Sequence, residues 1–231
     1  MRYVLLMASA IVLLLPNTGS PRADETVSIG ASRAVLLRPS APRASVILMP
    51  GGDGHIAAGA DGTIGKLKGN QLVRTRNAYL ARGLAVLVVD RDVDLTRAVD
   101  YMAAIKQPVT VIATSRGTLR AAYGIAGGAR PDALVLTSGF LTDGSGSHQN
   151  VANILGSPRS LPRTLVIAHR HDSCRFTLPA GVDPFIRWAG GKASVKWLDG
   201  GENSGDPCQA RAYHGFNGLD GEVVSIAAEF H

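Results

Sequence analysis

Short apolar runs, many of them β-branched, recur along the chain: Val35–Leu37, Ser45–Met49, Ala85–Val89, Val109–Ala113, Ala133–Thr137, Thr164–Ala168 and Ser194–Leu198. Runs this short and this continuous read as strands buried on both faces, which is the pattern of a parallel sheet. Between them lie stretches with helical character: Asn70–Arg82, Leu95–Ile105, Thr118–Ala126, Pro184–Gly190 and Gly221–Phe230. Strands alternating with helices predict βαβ units and an α/β fold, a mostly parallel, doubly wound sheet flanked by helices. The separator Arg38–Arg43 between the first two runs reads as a hairpin turn, and Asp24–Gly30 as either an added edge strand or a loose segment. The Gly-rich stretch Gly51–Gly69 is a long loop, and loops of that length in compact domains are often functional. With 45% hydrophobic and 18% charged residues in 231 positions, the chain can bury the core of one domain. There is no insertion long enough for a large cap domain, and Leu141–Pro162 is the only candidate lid.

The N-terminus has the plan of a secretion signal: Arg2 supplies a positive start, Val4–Pro16 is almost wholly apolar, and a small-residue stretch follows at Thr18–Ala23. Cleavage after Ala23 is expected, leaving one domain over residues 24–231 in an exported, periplasmic or secreted protein. The apolar run falls short of the roughly 20 residues of a membrane helix. No stable membrane insertion is therefore expected after signal removal, an uncleaved anchor being the alternative. The formal charge of +6 comes from scattered Lys and Arg with no basic helix or aromatic stripe, so no nucleic-acid partner is expected. The two cysteines, Cys174 and Cys208, form an even pair in an exported chain and predict a disulfide.

The run Val109–Ala113 leads directly into Thr114-Ser115-Arg116-Gly117 and then a helical stretch. A strand, a sharp turn and a helix form the setting of an exposed nucleophilic serine, with small residues needed where strand and helix nearly touch. Ala113 and Gly117 are those neighbours, Ala standing where Gly is usual. The plain alternative is that Ser115 only caps the helix. The run Thr164–Ala168 ends near Asp172, and His214 precedes the last helical stretch, so the chain order is Ser115, Asp172, His214. In that arrangement His214 takes the Ser115 proton, and Asp172 holds the imidazole tautomer and stabilises the imidazolium. A Cys174–Cys208 bridge would staple the acid loop to the base loop.

Pro50-Gly51-Gly52-Asp53-Gly54-His55 follows the run Ser45–Met49. Glycines there let a backbone N–H approach a carbonyl oxygen, so Gly52 first, Asp53 second, and Arg116 after the nucleophile are candidate oxyanion donors. The competing phosphate-cradle reading lacks the Gly-Lys-Ser/Thr ending that such loops carry. His55, His171 and Phe216 are candidates for the substrate side. A metal reading of His169, His171 and Asp172 is the third alternative, although supporting ligands are not evident in the sequence. The reading adopted assigns no metal and no cofactor.

Taken together, Gly51-Gly52-Asp53-Gly54, the run Gly69–Arg76, Thr114-Ser115-Arg116-Gly117-Thr118, Asp172-Ser173-Cys174, and Gly205-Asp206-Pro207-Cys208 leading to Tyr213–Gly218 resemble the secreted bacterial branch of the α/β-hydrolase superfamily. The resemblance covers Ser45 to the C-terminus and implies an α/β-hydrolase fold with an ester-type activity. It does not imply a substrate, since the fold hosts many chemistries; the triad order and the elbow together are read as a serine hydrolase cleaving carboxylic esters, with a small-molecule or lipid-like ester as partner. A peptidase, amidase or thioesterase is the nearest alternative, and a non-catalytic exported binding protein of the same fold is the alternative of a different class. The sequence leaves the oligomeric state undetermined.

Overall fold

The computed structural model describes residues 24–231. The leader expected over residues 1–23 lies outside the described residues. One sheet holds β1 (Glu25–Ile29), β2 (Ser32–Leu37), β3 (Ala44–Met49), β4 (Leu84–Val89), β5 (Val109–Thr114), β6 (Ala133–Thr137), β7 (Arg163–His169) and β8 (Ala193–Leu198). Their spatial order is β1-β2-β4-β3-β5-β6-β7-β8. The β1/β2 and β2/β4 pairs are antiparallel, and every pairing from β4 through β3 to β8 is parallel. The helices are α1 (Gln71–Arg74), α2 (Arg76–Leu80), α3 (Leu95–Ile105), α4 (Gly117–Ala126), α5 (Val151–Leu155), α6 (Val182–Trp188) and α7 (Asp220–Ala228).

The two-sided burial of the strands sorts the helices. Ile47, Leu87, Val111 and Leu136 face one apolar layer with Leu95, Met102, Ile125 and Phe185 from α3, α4 and α6. Val46, Leu48, Val86 and Ile112 face the other, with Leu72, Val73, Tyr79, Val223 and Val224 from α1, α2 and α7. Successive strand residues point to opposite faces, so a strand sandwiched by both layers must be apolar throughout. Each fully buried Leu, Ile, Val or Phe contributes roughly 1.5–3 kcal/mol of transfer free energy.

Three sequence expectations are corrected. The stretch Arg38–Arg43 is not a hairpin turn, because β4 lies between β2 and β3 and pairs with both. The stretch Asn70–Arg82 is two short helices, broken at Thr75, whose Oγ1 donates back to the Gln71 carbonyl. Such back-bonding by a threonine competes with the regular ladder. Leu141–Pro162 is not a lid. It contains α5, buries Leu141, Val151 and Leu161 in the core, and supplies none of the residues lining the main cleft. No large cap domain stands over the sheet among the described residues.

The parallel register brings the carboxyl ends of the strands to one edge. Met49 pairs with Ala113, Thr114 with Thr137, Thr137 with Ile167, and His169 with Leu198. The loops after β3, β5, β6, β7 and β8 therefore open side by side, where ligands of open α/β sheets bind.

Candidate active site

Ser115 sits between β5 and α4 with φ +53°, a left-handed conformation that costs a non-glycine residue free energy and concentrates at functional turns. Its N–H donates to the Thr137 carbonyl at 3.0 Å, and its carbonyl accepts from the Thr118 N–H at 2.9 Å and Thr118 Oγ1 at 2.7 Å. Among the described residues the Ser115 hydroxyl makes no hydrogen bond, so it does not cap α4. The tight turn depends on glycines. A Cβ on Gly51 would lie 2.9 Å from the Ser115 Cβ, so only glycine lets this loop pass the serine.

Asp172 and His214 are both buried, and His214 Nδ1 lies 3.1 Å from Asp172 Oδ2. The other carboxylate oxygen accepts the Cys174 N–H at 2.9 Å. The His214 loop is anchored on several sides. Ser138 Oγ donates to the His214 carbonyl at 2.7 Å, and Arg74 Nη2 donates to the Gly215 carbonyl at 2.7 Å while pairing with Asp220. Tyr213 stacks on His169 with ring centres 4.3 Å apart. Cys174 and Cys208 are disulfide-bonded across 34 positions, joining the acid loop to the segment that leads to His214.

Ser115, His214, Gly51, Gly52, Asp53 and Arg116 share one cleft of about 870 Å³, whose wall also carries the disulfide and the stacked Phe140–Phe176 pair. Gly52 holds φ +60° in the turn closed by Gly54 N–H to the Gly51 carbonyl. Among the described residues the backbone N–H groups of Gly52, Asp53 and Arg116 make no protein hydrogen bond, leaving them available to a ligand oxygen. Arg120 on α4 donates to the carbonyls of Pro50 and Gly52 and ties this loop to the helix behind Ser115. Burial first, and the nearby Arg116 next, push the Arg120 guanidinium below its usual value, while Asp53 and Asp90 oppose that shift.

The structure does not bring His55, His171 or Phe216 to the cleft, which corrects their substrate-side placement. His55 Nδ1 pairs with Asp90 at 3.1 Å, and His171 pairs with Asp199 at 3.3 Å. Phe216 has φ +53° and is fully buried in the apolar layer that holds Leu72, Tyr79 and Val223. The metal reading of His169, His171 and Asp172 loses its donors. His169 Nε2 faces the Gly200 carbonyl at 3.0 Å, and its Nδ1 accepts the His171 N–H at 3.1 Å. Asp172 is committed to His214. Among the described residues no group of three or more His, Cys, Asp or Glu side chains, these included, is arranged to hold a metal ion. No helix there is long and apolar enough to cross a membrane.

Sequence reasoning missed Thr177, Ser138, Arg74 and Arg120. Thr177 Oγ1 is 2.9 Å from Asp172 Oδ2 and 2.9 Å from His214 Nδ1. No local pattern marks it, since it stands in an irregular stretch with no periodicity. Arg74 falls in the Gly69–Arg76 run that carried the resemblance, and a cation four residues into a short helix was its only signal.

No known protein-family profile matches this chain, and no curated protein matches its sequence. Solved structures do resemble it. A dienelactone hydrolase from Anabaena variabilis superposes with a TM-score of 0.61 at 13% identity, covering 93% of this chain and 97% of its own. The esterase domain of a Rhodothermus marinus protein gives 0.58 at 13% identity, over 91% and 98% of the two chains. XC6422 from Xanthomonas campestris, described as an α/β serine hydrolase without a lid, gives 0.55 at 13% identity, over 92% and 96%. At these identities the likeness establishes the fold, and the chain has the α/β-hydrolase fold.

Proposed function

We propose that this protein is a serine hydrolase that cleaves carboxylic esters through an acyl-enzyme on Ser115. The observation that carries the reading is the meeting of Ser115, strained at φ +53°, with His214 in one cleft, the imidazole being backed by buried Asp172 at 3.1 Å. In this reading Ser115 Oγ attacks the ester carbonyl carbon while His214 Nε2 takes its proton. The carbonyl oxygen gains charge and is met by the N–H groups of Gly52 and Arg116, where each donor is worth about 3–4 kcal/mol of transition-state stabilisation. Collapse expels the alcohol, which receives the proton from His214. Water, deprotonated by the same imidazole, then releases the acid and restores Ser115.

The same steps serve an amide or a thioester, and the leaving group decides among them. Among the described residues no cap domain covers the cleft, which favours small or surface-presented esters over a long, enclosed acyl chain. Residues 1–23 are assigned as a cleaved leader and residues 24–231 as the exported domain, consistent with the disulfide.

The test is labelling of residues 24–231 with a fluorophosphonate, followed by mass spectrometry of the modified peptide and turnover of p-nitrophenyl acetate, a thioester and an anilide. The expected result is an adduct on Ser115, absent in Ser115→Ala and His214→Ala, with the ester turned over fastest. A folded, oxidised protein that takes no label would point to the non-catalytic binding protein instead.

A further inference from the structure

We propose that Thr177 is a positioning residue for His214, its hydroxyl fixing the imidazole tautomer and plane from beside the acid. The inference rests on the hydrolase reading above. Three polar atoms close a triangle in the buried space behind the cleft. Thr177 Oγ1 is 2.9 Å from Asp172 Oδ2 and 2.9 Å from His214 Nδ1, and Asp172 Oδ2 is 3.1 Å from His214 Nδ1. All three residues are buried, and each of the three atoms has the other two as its partners.

Proton counting leaves one arrangement. An ionised carboxylate has no proton to donate, and a threonine hydroxyl has one. If Nδ1 were bare, two acceptors would face each other at 3.1 Å and the single threonine proton would serve only one of them. An unsatisfied buried acceptor is expensive. If Nδ1 carries its proton, Thr177 donates to Asp172 Oδ2, and the Nδ1 proton is shared between Oδ2 and Thr177 Oγ1. Every group is then satisfied, and Nε2 is left as the bare, basic nitrogen. As Nε2 takes up the Ser115 proton, the imidazolium keeps two acceptors in place instead of one.

Thr177 is itself held in place. Its N–H donates to the Cys174 carbonyl at 2.9 Å, while the Cys174 N–H holds the other oxygen of Asp172 at 2.9 Å. The residue that bears the disulfide thus sets both the carboxylate and the hydroxyl.

The experiment combines kinetics of Thr177→Val and Thr177→Ser on p-nitrophenyl acetate with nitrogen-15 spectra of the histidines. Valine keeps the shape and removes the hydroxyl. The expected outcome for Thr177→Val is a fall in kcat of about tenfold, the worth of one hydrogen bond, with KM changed by less than about twofold. Thr177→Ser recovers most of the loss. The wild-type spectrum shows His214 in the Nδ1–H tautomer alone, and the valine variant shows both tautomers. A purely structural threonine would lower thermal stability without moving the tautomer or separating kcat from KM. Wild-type protein with mostly Nε2–H on His214 overturns the proposal, as does a Thr177→Val that keeps its kcat or a serine variant no better than valine. Fluorophosphonate labelling of Ser115 separates the two levels of failure. An unlabelled wild type overturns the hydrolase reading and this role with it, whereas full-rate labelling in Thr177→Val overturns the role alone.

Discussion

Gly117, the first residue of α4, passes so close to Met49 at the end of β3 that a Cβ on it would stand 2.2 Å from the Met49 carbonyl oxygen and 2.8 Å from that of Pro50. Both obstacles are backbone, so neither yields. Gly117→Ala is expected to lose about 3 kcal/mol or fail to fold, since overpacking against fixed atoms is costly. Gly221→Ala in α7 is the control. Its Cβ would meet nothing within 4 Å, and the exchange should add about 0.5–1 kcal/mol by removing chain freedom from the unfolded state. Urea unfolding of the two variants reads both signs, and equal effects would remove the steric explanation.

Asp172→Asn keeps the shape and removes the charge. An amide beside Nδ1 offers a donor where the imidazole already has one, so the ring is driven toward the wrong tautomer. A kcat loss of about 10⁴-fold with a nearly unchanged KM is expected. A loss of only a few-fold would mean that another group serves as the acid.

Removing the disulfide should act twice. The bridge closes a span of 34 positions, and its loss is expected to cost about 2–5 kcal/mol of stability. Cys174 also carries the N–H that holds Asp172 and the carbonyl that holds Thr177. Turnover per folded molecule should therefore fall in the Cys174→Ala, Cys208→Ala double variant. Unchanged turnover in a double variant verified as folded would show that the bridge stabilises the fold without shaping the site.

Tyr79 gives a pH signature. It is fully buried, its hydroxyl has no hydrogen-bond partner among the described residues, and burial raises its pKa, with Asp220 adding to the rise and Arg82 opposing it. Its neutral form is thus favoured in the folded state. The unfolded chain ionises near pH ~10 while the native state keeps the proton, so the unfolded state binds fewer protons above that pH. Stability is full below about pH 10 and falls as pH rises beyond it. Tyr79→Phe should flatten that alkaline loss and cost little at neutral pH. A variant with the same alkaline slope as wild type would assign the loss elsewhere.

How much of this was legible in the sequence follows from what each feature depends on. Ala133–Thr137 and Leu95–Ile105 have the bounds read from the chain alone, because two-sided burial and amphipathic spacing are local properties. The neighbours of β2 were not legible, since β4 arrives from some fifty positions downstream. Ser115 was marked by the strand before it and the small residue after it. Thr177 was not marked, because its two partners meet only when the acid and base loops pack. His171 and Phe216 adjoin Asp172 and His214 in sequence, yet proximity along the chain does not say where a side chain points. His171 turns to Asp199 and Phe216 into the core.

The side-by-side opening of the loops at one edge of the sheet makes strand register the ruler of the site. A one-residue slip of β7 against β6 would carry Asp172 about 3.3 Å along the strand and reverse the face of every β7 side chain. Insertions and deletions should therefore divide sharply. A single residue lost from β5 or β7 would separate the serine from its partners even if the sheet re-formed. An added residue in the α5 region, which does not line the cleft, would leave the spacing of Ser115, Asp172 and His214 intact.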